Sequence, residues 1–139
     1  MKLGKKLTSI ISEKIAYAGL IPNGIYELRI QNVDYRPSSY GSSNRAVVTF
    51  QVINGSEFDG AMFRNVFTID NPSNPEAEKI SLALFTNMLS AAGFTKDDLS
   101  NDFDTDLIIG RKVRGRVITV EGNSNYPQSN KADCFYKII

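Results

Sequence analysis

The sequence contains no histidine and only one cysteine, Cys134. Without histidine the chain lacks the side chain that exchanges protons most readily near neutral pH, and a lone cysteine forms neither an internal disulfide nor a thiolate metal cluster. No apolar run approaches the roughly 18 residues that cross a bilayer, and the N-terminus lacks the apolar segment of a secretion signal. These absences argue against a membrane protein and a disulfide-rich secreted protein. They favour a cytoplasmic location. We expect Cys134 itself to be a half-buried strand residue.

The charges are separated along the chain, although the net charge is only +1. One basic cluster lies at the N-terminus (Lys2, Lys5, Lys6, Lys14) and another lies at 111–116 (Arg111, Lys112, Arg114, Arg116). Acidic residues dominate 76–106 between them (Glu76, Glu78, Asp97, Asp98, Asp102, Asp104, Asp106). At 139 residues the chain has the size of one domain. Because the charges are separated along the sequence, we expect this domain to have one basic and one acidic surface.

Residues 1–20 predict a basic N-terminal arm or helix, and residues 21–139 predict a single β-rich domain. In the arm, apolar residues follow a helical spacing with lysines on the other side (Leu7, Ile10, Ile11, Ile15, Ala18). Alternating apolar and polar residues then predict three strands at 24–34, 45–53 and 61–69. A polar loop at 35–44 separates the first two, and a connection containing Asn54-Gly55 joins the second and third as a hairpin.

One helix is expected after the third strand. Asn74 is a suitable N-cap, Pro75 suits the first turn, and Gly93 ends the helix. The apolar residues of this segment recur at helical spacing (Ile80, Leu84, Phe85, Met88, Leu89, Ala92). Thr95 and Asp98 predict a capping box for a short extra turn.

Two further strands are predicted at 107–121 and 131–139, with Gly110 and Gly115 as bends and a polar loop at 122–130. Three strands, a helix and two strands form the order of an OB-fold. The fold class is therefore predicted as a mainly β, five-stranded, OB-fold-like Greek-key barrel with one helix between strands 3 and 4 and an N-terminal arm.

The spacing of Asp102, Asp104 and Asp106 is similar to the start of a calcium loop. However, Leu107 stands in the position of the required glycine and Val113 in that of the bidentate glutamate. We interpret 97–106 as a solvated acidic linker and expect no metal and no cofactor. No nucleophile elbow and no phosphate-binding glycine loop is present, and no catalytic residue is predicted.

The binding groove of an OB-fold crosses strands 2 and 3 between the loops that connect strands 1–2 and 4–5. If Val48, Phe50 and Val52 face the core together with Phe63 and Phe67, the outward set comprises Arg45, Val47, Thr49, Gln51, Arg64, Val66 and Thr68. Single-strand binding needs aromatic side chains for base stacking and cations for phosphates. The candidates for stacking are Tyr35, Tyr40 and Tyr126. The candidates for phosphate contact are Arg36, Arg45, Arg64, Arg111, Arg114 and Lys131.

Several runs of sequence resemble a phage-encoded family. They are IPNGIYE at 21–27, FQVI at 50–53 with Asp59-Gly60, FTIDNP at 67–72, LIIGRKV at 107–113, and Phe135-Tyr136. The resemblance covers residues 21–139. This family, long catalogued as a domain of unknown function, is associated with single-stranded-DNA binding beside phage replication or recombination genes. The resemblance implies an OB-type single-stranded-DNA-binding protein made in an infected or lysogenic bacterium.

We therefore expect a non-catalytic protein that coats single-stranded DNA with little sequence preference, because no recognition helix or zinc finger is present. The candidate partners are single-stranded DNA or RNA, phage replication or recombination proteins, and a second copy of the chain in a homodimer; no membrane is expected.

Two alternatives stay open. One is a protein-interaction or assembly module on the same fold, whose basic arm and acidic block bind complementary proteins. The other is a carboxylate-dependent nuclease that uses a divalent metal at the acidic block.

Overall fold

The computed structural model describes residues 19–37, 44–70, 72, 74–99, 103–122 and 128–138. The strands in these ranges are β1 (Gly24–Pro37), β2 (Asn44–Ile53), β3 (Met62–Asp70), β4 (Lys112–Val120) and β5 (Ser129–Tyr136). The helix α1 (Pro75–Ala91) and a 3₁₀ turn (Thr105–Ile108) lie between β3 and β4. The predicted arm, apart from Gly19 and Leu20, lies outside the described residues. In the part of the chain that is described, no helix is long and apolar enough to cross a membrane.

The five strands form one antiparallel sheet in the order β3-β2-β1-β4-β5. Its two edge strands are linked by a side chain, because Asn65 on β3 reaches the backbone of Ala132 on β5. The amide of Asn65 donates to the Ala132 carbonyl at 2.7 Å, and its Oδ1 accepts from the Ala132 N–H at 2.9 Å. Asn65 is only 4 % exposed, so these two hydrogen bonds satisfy an otherwise costly buried amide. The predicted mainly β architecture with one helix between the third and fourth strands is confirmed.

The helix α1 packs against both edge strands through hydrogen bonds to their backbone. Ser81 Oγ accepts from the N–H of Thr68 on β3 at 2.7 Å. Asn87 accepts from the N–H of Phe135 on β5 at 2.8 Å and donates to its carbonyl at 3.1 Å. The helix therefore holds the two edges of the sheet at a fixed separation.

The core lies on one face of the sheet, where the alternation along the strands places the large apolar side chains. Val48, Phe50 and Val52 are at most 1 % exposed, as predicted. The ring of Phe50 lies 5.3 Å from that of Phe63 on β3 and 5.4 Å from that of Phe135 on β5, measured between centroids. Aromatic contacts thus connect β2 to both edge strands of the sheet.

The local signals for α1 are confirmed, with one exception on its surface. Asn74 Oδ1 accepts from the Ala77 N–H at 3.2 Å, and Gly93 has a φ of +101° just beyond the helix. The predicted capping box also forms, with the Thr95 N–H donating to Asp98 at 2.7 Å. The placement of Ile80 in the apolar stripe was wrong, because it lies off the face that carries the buried residues and is 70 % exposed.

The fourth strand begins later than the sequence predicts. Asp104 accepts from the N–H of Asp106 at 3.0 Å and starts the 3₁₀ turn, so 107–109 is not extended in a strand. Gly110, with a φ of +89°, makes the predicted bend. Gly115 is not a bend but lies inside β4, where an added Cβ would be 2.6 Å from Leu28 Cδ1. Its small size lets β4 pack closely on the core.

The first strand is longer than predicted, since it continues through Pro37. Tyr35 and Arg36, expected in a loop, therefore belong to β1. The predicted connection between β2 and β3 begins with Asn54 and Gly55, whose φ values are 69° and 94°. The chain then turns at 56–59, where the Asp59 N–H donates to the Ser56 carbonyl at 3.1 Å. Cys134 is a half-buried residue of β5, as expected.

Candidate nucleic-acid interface

A groove of about 760 Å³ lies over the outward face of β2 and β3. It is bounded by the end of β1, by the residues that precede β1, and by the start of β5. Its described lining includes three arginines (Arg36, Arg45, Arg64), three exposed apolar side chains (Leu20, Met62, Val66) and three polar residues (Gln128, Ser129, Asn130). Among the described residues, no carboxylate lines this groove.

Strand register explains why the arginines share one face. Arg45 on β2 is paired with Arg36 on β1 and with Thr68 on β3, and Thr49 is paired with Arg64. Directly opposite residues of an antiparallel pair point to the same side of the sheet. Arg64 lies four residues along β3 from Thr68, the partner of Arg45. Arg45 and Arg64 are therefore about 13 Å apart along the strand direction.

The positive charge of the groove is only partly compensated. The Arg36 Nε lies 2.8 Å from Asp34 Oδ2, and both side chains are about half exposed, so this ion pair stabilises the fold little. Arg45 and Arg64 form no ion pair within the described ranges. Like charges directly opposite each other in a sheet are destabilising, so the facing pair of Arg36 and Arg45 favours an anion between them.

Exposed apolar side chains flank Arg64 on the outward face of β3. Met62 is 57 % exposed and Val66 is 56 % exposed, on either side of Arg64. Val47 of β2 is paired with Val66, and both side chains line the groove. This mixture offers cationic groups for phosphates and apolar contact for sugars and base faces.

A buried asparagine places Leu20 at the edge of the groove. The Asn130 Oδ1 accepts from the Ile21 N–H at 3.0 Å, and the amide of Asn130 donates to the Ile21 carbonyl at 3.1 Å. These hydrogen bonds attach the segment before β1 to the start of β5. Sequence reasoning did not find Leu20 or Asn130, since no local pattern links residues 109 positions apart. It also left out Met62, although alternation along β3 places Met62 on the same face as Arg64.

Of the predicted site residues that the structure describes, Arg36, Arg45 and Arg64 meet in the groove, whereas Tyr35 lies outside it. Tyr35 is paired with the buried Ala46, whereas Arg36 is paired with Arg45, so the tyrosine lies on the core-facing side of β1. It is 57 % exposed there, because it lies near the end of the strand. The prediction that grouped it with Arg36 was made for a loop, in which successive residues are not held on opposite faces.

Arg111 precedes β4 and packs on an aromatic side chain. Its guanidinium carbon lies 4.6 Å from the centroid of Phe94, and the ring of Phe94 makes an edge contact with Phe103 at 5.1 Å. This cation–π contact holds Arg111 beyond the helix rather than at the groove.

The remaining predicted cations lie on the outward face but outside the groove lining. Arg114 on β4 is paired with Glu27 and Tyr136, and its buried Nε has no hydrogen-bond partner in the described part of the chain. Lys131 follows the groove residue Asn130 along β5 and is exposed. Tyr40 and Tyr126 lie outside the described residues and stay predictions.

A second ion pair on β4 and β5 is independent of the groove. Arg116 donates to both carboxylate oxygens of Asp133, at 2.7 and 3.1 Å. These hydrogen bonds lower the pKa of Asp133 and raise that of Arg116. The pair is geometrically strong, and Arg116 is therefore less available to an external phosphate than Arg45 or Arg64.

The acidic block contains local caps in its described part. The Thr95 hydrogen bonds lower the pKa of Asp98, and Asp104 caps the 3₁₀ turn. No cluster of three or more carboxylate, cysteine or histidine ligands occurs in the described ranges, which leave out Asp102.

No protein-family model and no curated protein matches this chain. The resemblance to the phage family therefore stays a prediction.

Proposed function

We propose that this chain is a non-catalytic protein of the OB type that binds single-stranded DNA in the groove over β2 and β3. The observation that carries the proposal is the convergence of Arg36, Arg45 and Arg64 on one exposed face with no carboxylate in the described lining. The groove offers guanidinium, amide, hydroxyl and apolar groups, which suit binding rather than proton transfer.

The strand order supports an OB-type barrel. The order β3-β2-β1-β4-β5 leaves β3 and β5 as edges, and Asn65 joins them through the backbone of Ala132. The position of α1 between these edges suits the helix that covers one end of such a barrel. The groove also occupies the face of strands 2 and 3 that OB-folds use for oligonucleotides.

A single strand is the ligand that suits this surface best. Its bases are free to contact exposed side chains such as Met62 and Val66, whereas in a duplex the base faces are stacked on one another. Arginines that contact only phosphates do not distinguish sequences, so we expect little sequence preference. Together with the resemblance, this supports a role in phage DNA replication or recombination in the bacterial cytoplasm.

The proposal is tested by fluorescence anisotropy of labelled oligothymidine of about 16 nucleotides, the upper end of the site size of one OB-fold. Affinity should fall as salt rises, and Arg45→Ala or Arg64→Ala should each reduce the slope of log affinity against log salt by about 0.7. Lys79→Ala is the matched control, because Lys79 is an exposed cation on α1 outside the groove lining.

Tight binding that survives excess duplex and depends on Arg45 and Arg64 supports the proposal, and parallel titrations with oligouridine measure any preference for RNA. Absence of binding at low salt, or an equal loss in the Lys79→Ala variant, would refute it. In that case the assembly module would become the better hypothesis.

A further inference from the structure

A second basic surface lies on the outward face of β1 and β4, outside the groove. Lys112 on β4 is paired directly with Arg29 on β1, and the next outward residue of β4 is Arg114. Directly opposite residues point to the same side of the sheet, so these three cations are neighbours. Within the described ranges, none of the three forms an ion pair. The facing cations of β1 and β4 therefore favour an anion between them.

Two carboxylates lie near this surface, and both accept hydrogen bonds from other side chains. Glu27 is paired in register with Arg114 and accepts from the side-chain amide of Asn54. Asp133 accepts two hydrogen bonds from Arg116. Arg116 lies four residues along β4 from the paired lysine, a distance of about 13 Å, so this ion pair stands beyond the surface.

The same surface carries an aromatic side chain. Tyr136 on β5 is paired with Arg114, whereas the preceding Phe135 is buried in the core, so Tyr136 lies on the outward face. The described groove lining has no exposed aromatic, since Phe63 there is only 8 % exposed. Single-strand binding uses aromatic rings on which bases stack. Tyr136 offers the ring that the described part of the groove lacks.

Strand register joins this surface to the groove. One row of opposed residues crosses four strands, through Lys112, Arg29, Gln51 and Met62. Met62 lines the groove, so the row leads from the groove to the cations of β1 and β4. Neighbouring strands are about 4.8 Å apart, which places Lys112 about 14 Å from Met62 along the row.

We propose that one single strand of DNA occupies both the groove and this β4 surface, which comprises Arg29, Lys112, Arg114 and Tyr136. The inference rests on the proposed function and extends the binding path beyond the face of strands 2 and 3 that OB-folds use. A short strand fills only the groove. A longer strand also reaches the β4 surface, where it gains phosphate contacts and a stacked base.

The path is tested with two lengths of labelled oligothymidine, about 5 and about 16 nucleotides, near the two ends of the range of site sizes for one OB-fold. Arg29→Gln/Lys112→Gln should reduce the slope of log affinity against log salt for the long strand by about 1.4, or about 0.7 for each lost phosphate contact. Tyr136→Ala should weaken binding of the long strand about fivefold or more, through loss of one stacked base. The short strand should bind the parent and both variants equally.

The matched control is Lys79→Gln/Lys96→Gln, which removes the same charge from two exposed residues on and just after α1. Neither residue belongs to the groove lining or to the β4 surface, so the slope for the long strand should not change. Circular dichroism melting of each variant should match that of the parent, which shows that the variants are folded.

A loss confined to the long strand supports the proposal. Parent-like binding of the long strand by Arg29→Gln/Lys112→Gln and Tyr136→Ala would overturn it, and the groove would be retained if binding still depends on Arg45 and Arg64. An equal loss for the short strand or in the control variant would also overturn it, because the effect would not come from a longer path. Absence of binding at either length would overturn the proposed function as well.

Discussion

Asp34 limits the charge of the groove, and its removal gives the sharpest test of the proposed site. Asp34 holds Arg36 at 2.8 Å, so a phosphate has to compete with this carboxylate for the guanidinium. The substitution Asp34→Asn keeps the size of the side chain and removes its charge. Arg36 then becomes available to the strand, and we expect tighter binding to single-stranded DNA at low salt.

The size of the effect follows from counterion release. One additional phosphate contact on a single strand makes the slope of log affinity against log salt steeper by about 0.7. Over a fourfold rise in salt, the ratio of variant affinity to parent affinity should therefore fall about 2.6-fold. Anisotropy titrations of labelled oligothymidine at several salt concentrations measure both the ratio and the slope.

Asp133→Asn is the matched control, since it makes the same change in net charge and also releases an arginine. The released side chain, Arg116, lies on β4, and neither partner of this pair belongs to the groove lining. A general electrostatic effect would increase affinity equally in both variants. Equal slopes for Asp34→Asn and Asp133→Asn would contradict the assignment of the groove.

Three further predictions concern the framework that positions the groove. Asn65→Ala removes two buried hydrogen bonds and leaves the N–H and carbonyl of Ala132 unpaired, so urea unfolding should show a loss of about 2–4 kcal/mol. Gly115→Ala brings a Cβ to 2.6 Å from Leu28 and should cost about 1–3 kcal/mol, whereas Gly24→Ala, with its nearest contact at 3.5 Å, should have little effect in the same assay. Because the native pKa of Asp133 is lowered, its ion pair stabilises the fold above the unfolded-state pKa of about 3.9 and ceases to do so as the pH falls through the native value. The stability difference between the parent and Asp133→Asn should accordingly disappear in strongly acidic urea titrations, and a constant difference would argue against this linkage.

Local sequence signals predicted the elements well where each depends on its own residues. Asn74 and Pro75 stand at the start of the helix, Gly93 follows its end, and Asn54-Gly55 begins the connection between β2 and β3. The alternation along β2 and β3 correctly assigned the outward side of Arg45 and Arg64. Such signals suffice because capping, turn geometry and strand alternation act within a few residues.

The sequence predicted the boundaries of β1 and β4 less well, and the errors affected the predicted site. Extension of β1 through Pro37 separates Tyr35 from Arg36, because neighbouring residues of a strand face opposite sides. The 3₁₀ turn before β4 leaves Arg111 outside the strand, where it packs on Phe94. Both outcomes depend on contacts between segments that are distant in the chain.

By itself, the sequence determined the kinds of element, their order, the core-facing residues of β2 and β3, and the separation of basic from acidic segments. Only the tertiary structure decided which cations converge, because strand register places Arg36 opposite Arg45 and the order of the strands brings β5 to the far end of the groove. It also decided the roles of Asn65 and Asn130, which bond to backbone groups 67 and 109 residues away. A long-range hydrogen bond has no local pattern, so the residue that makes it is recognised only once the chain has folded.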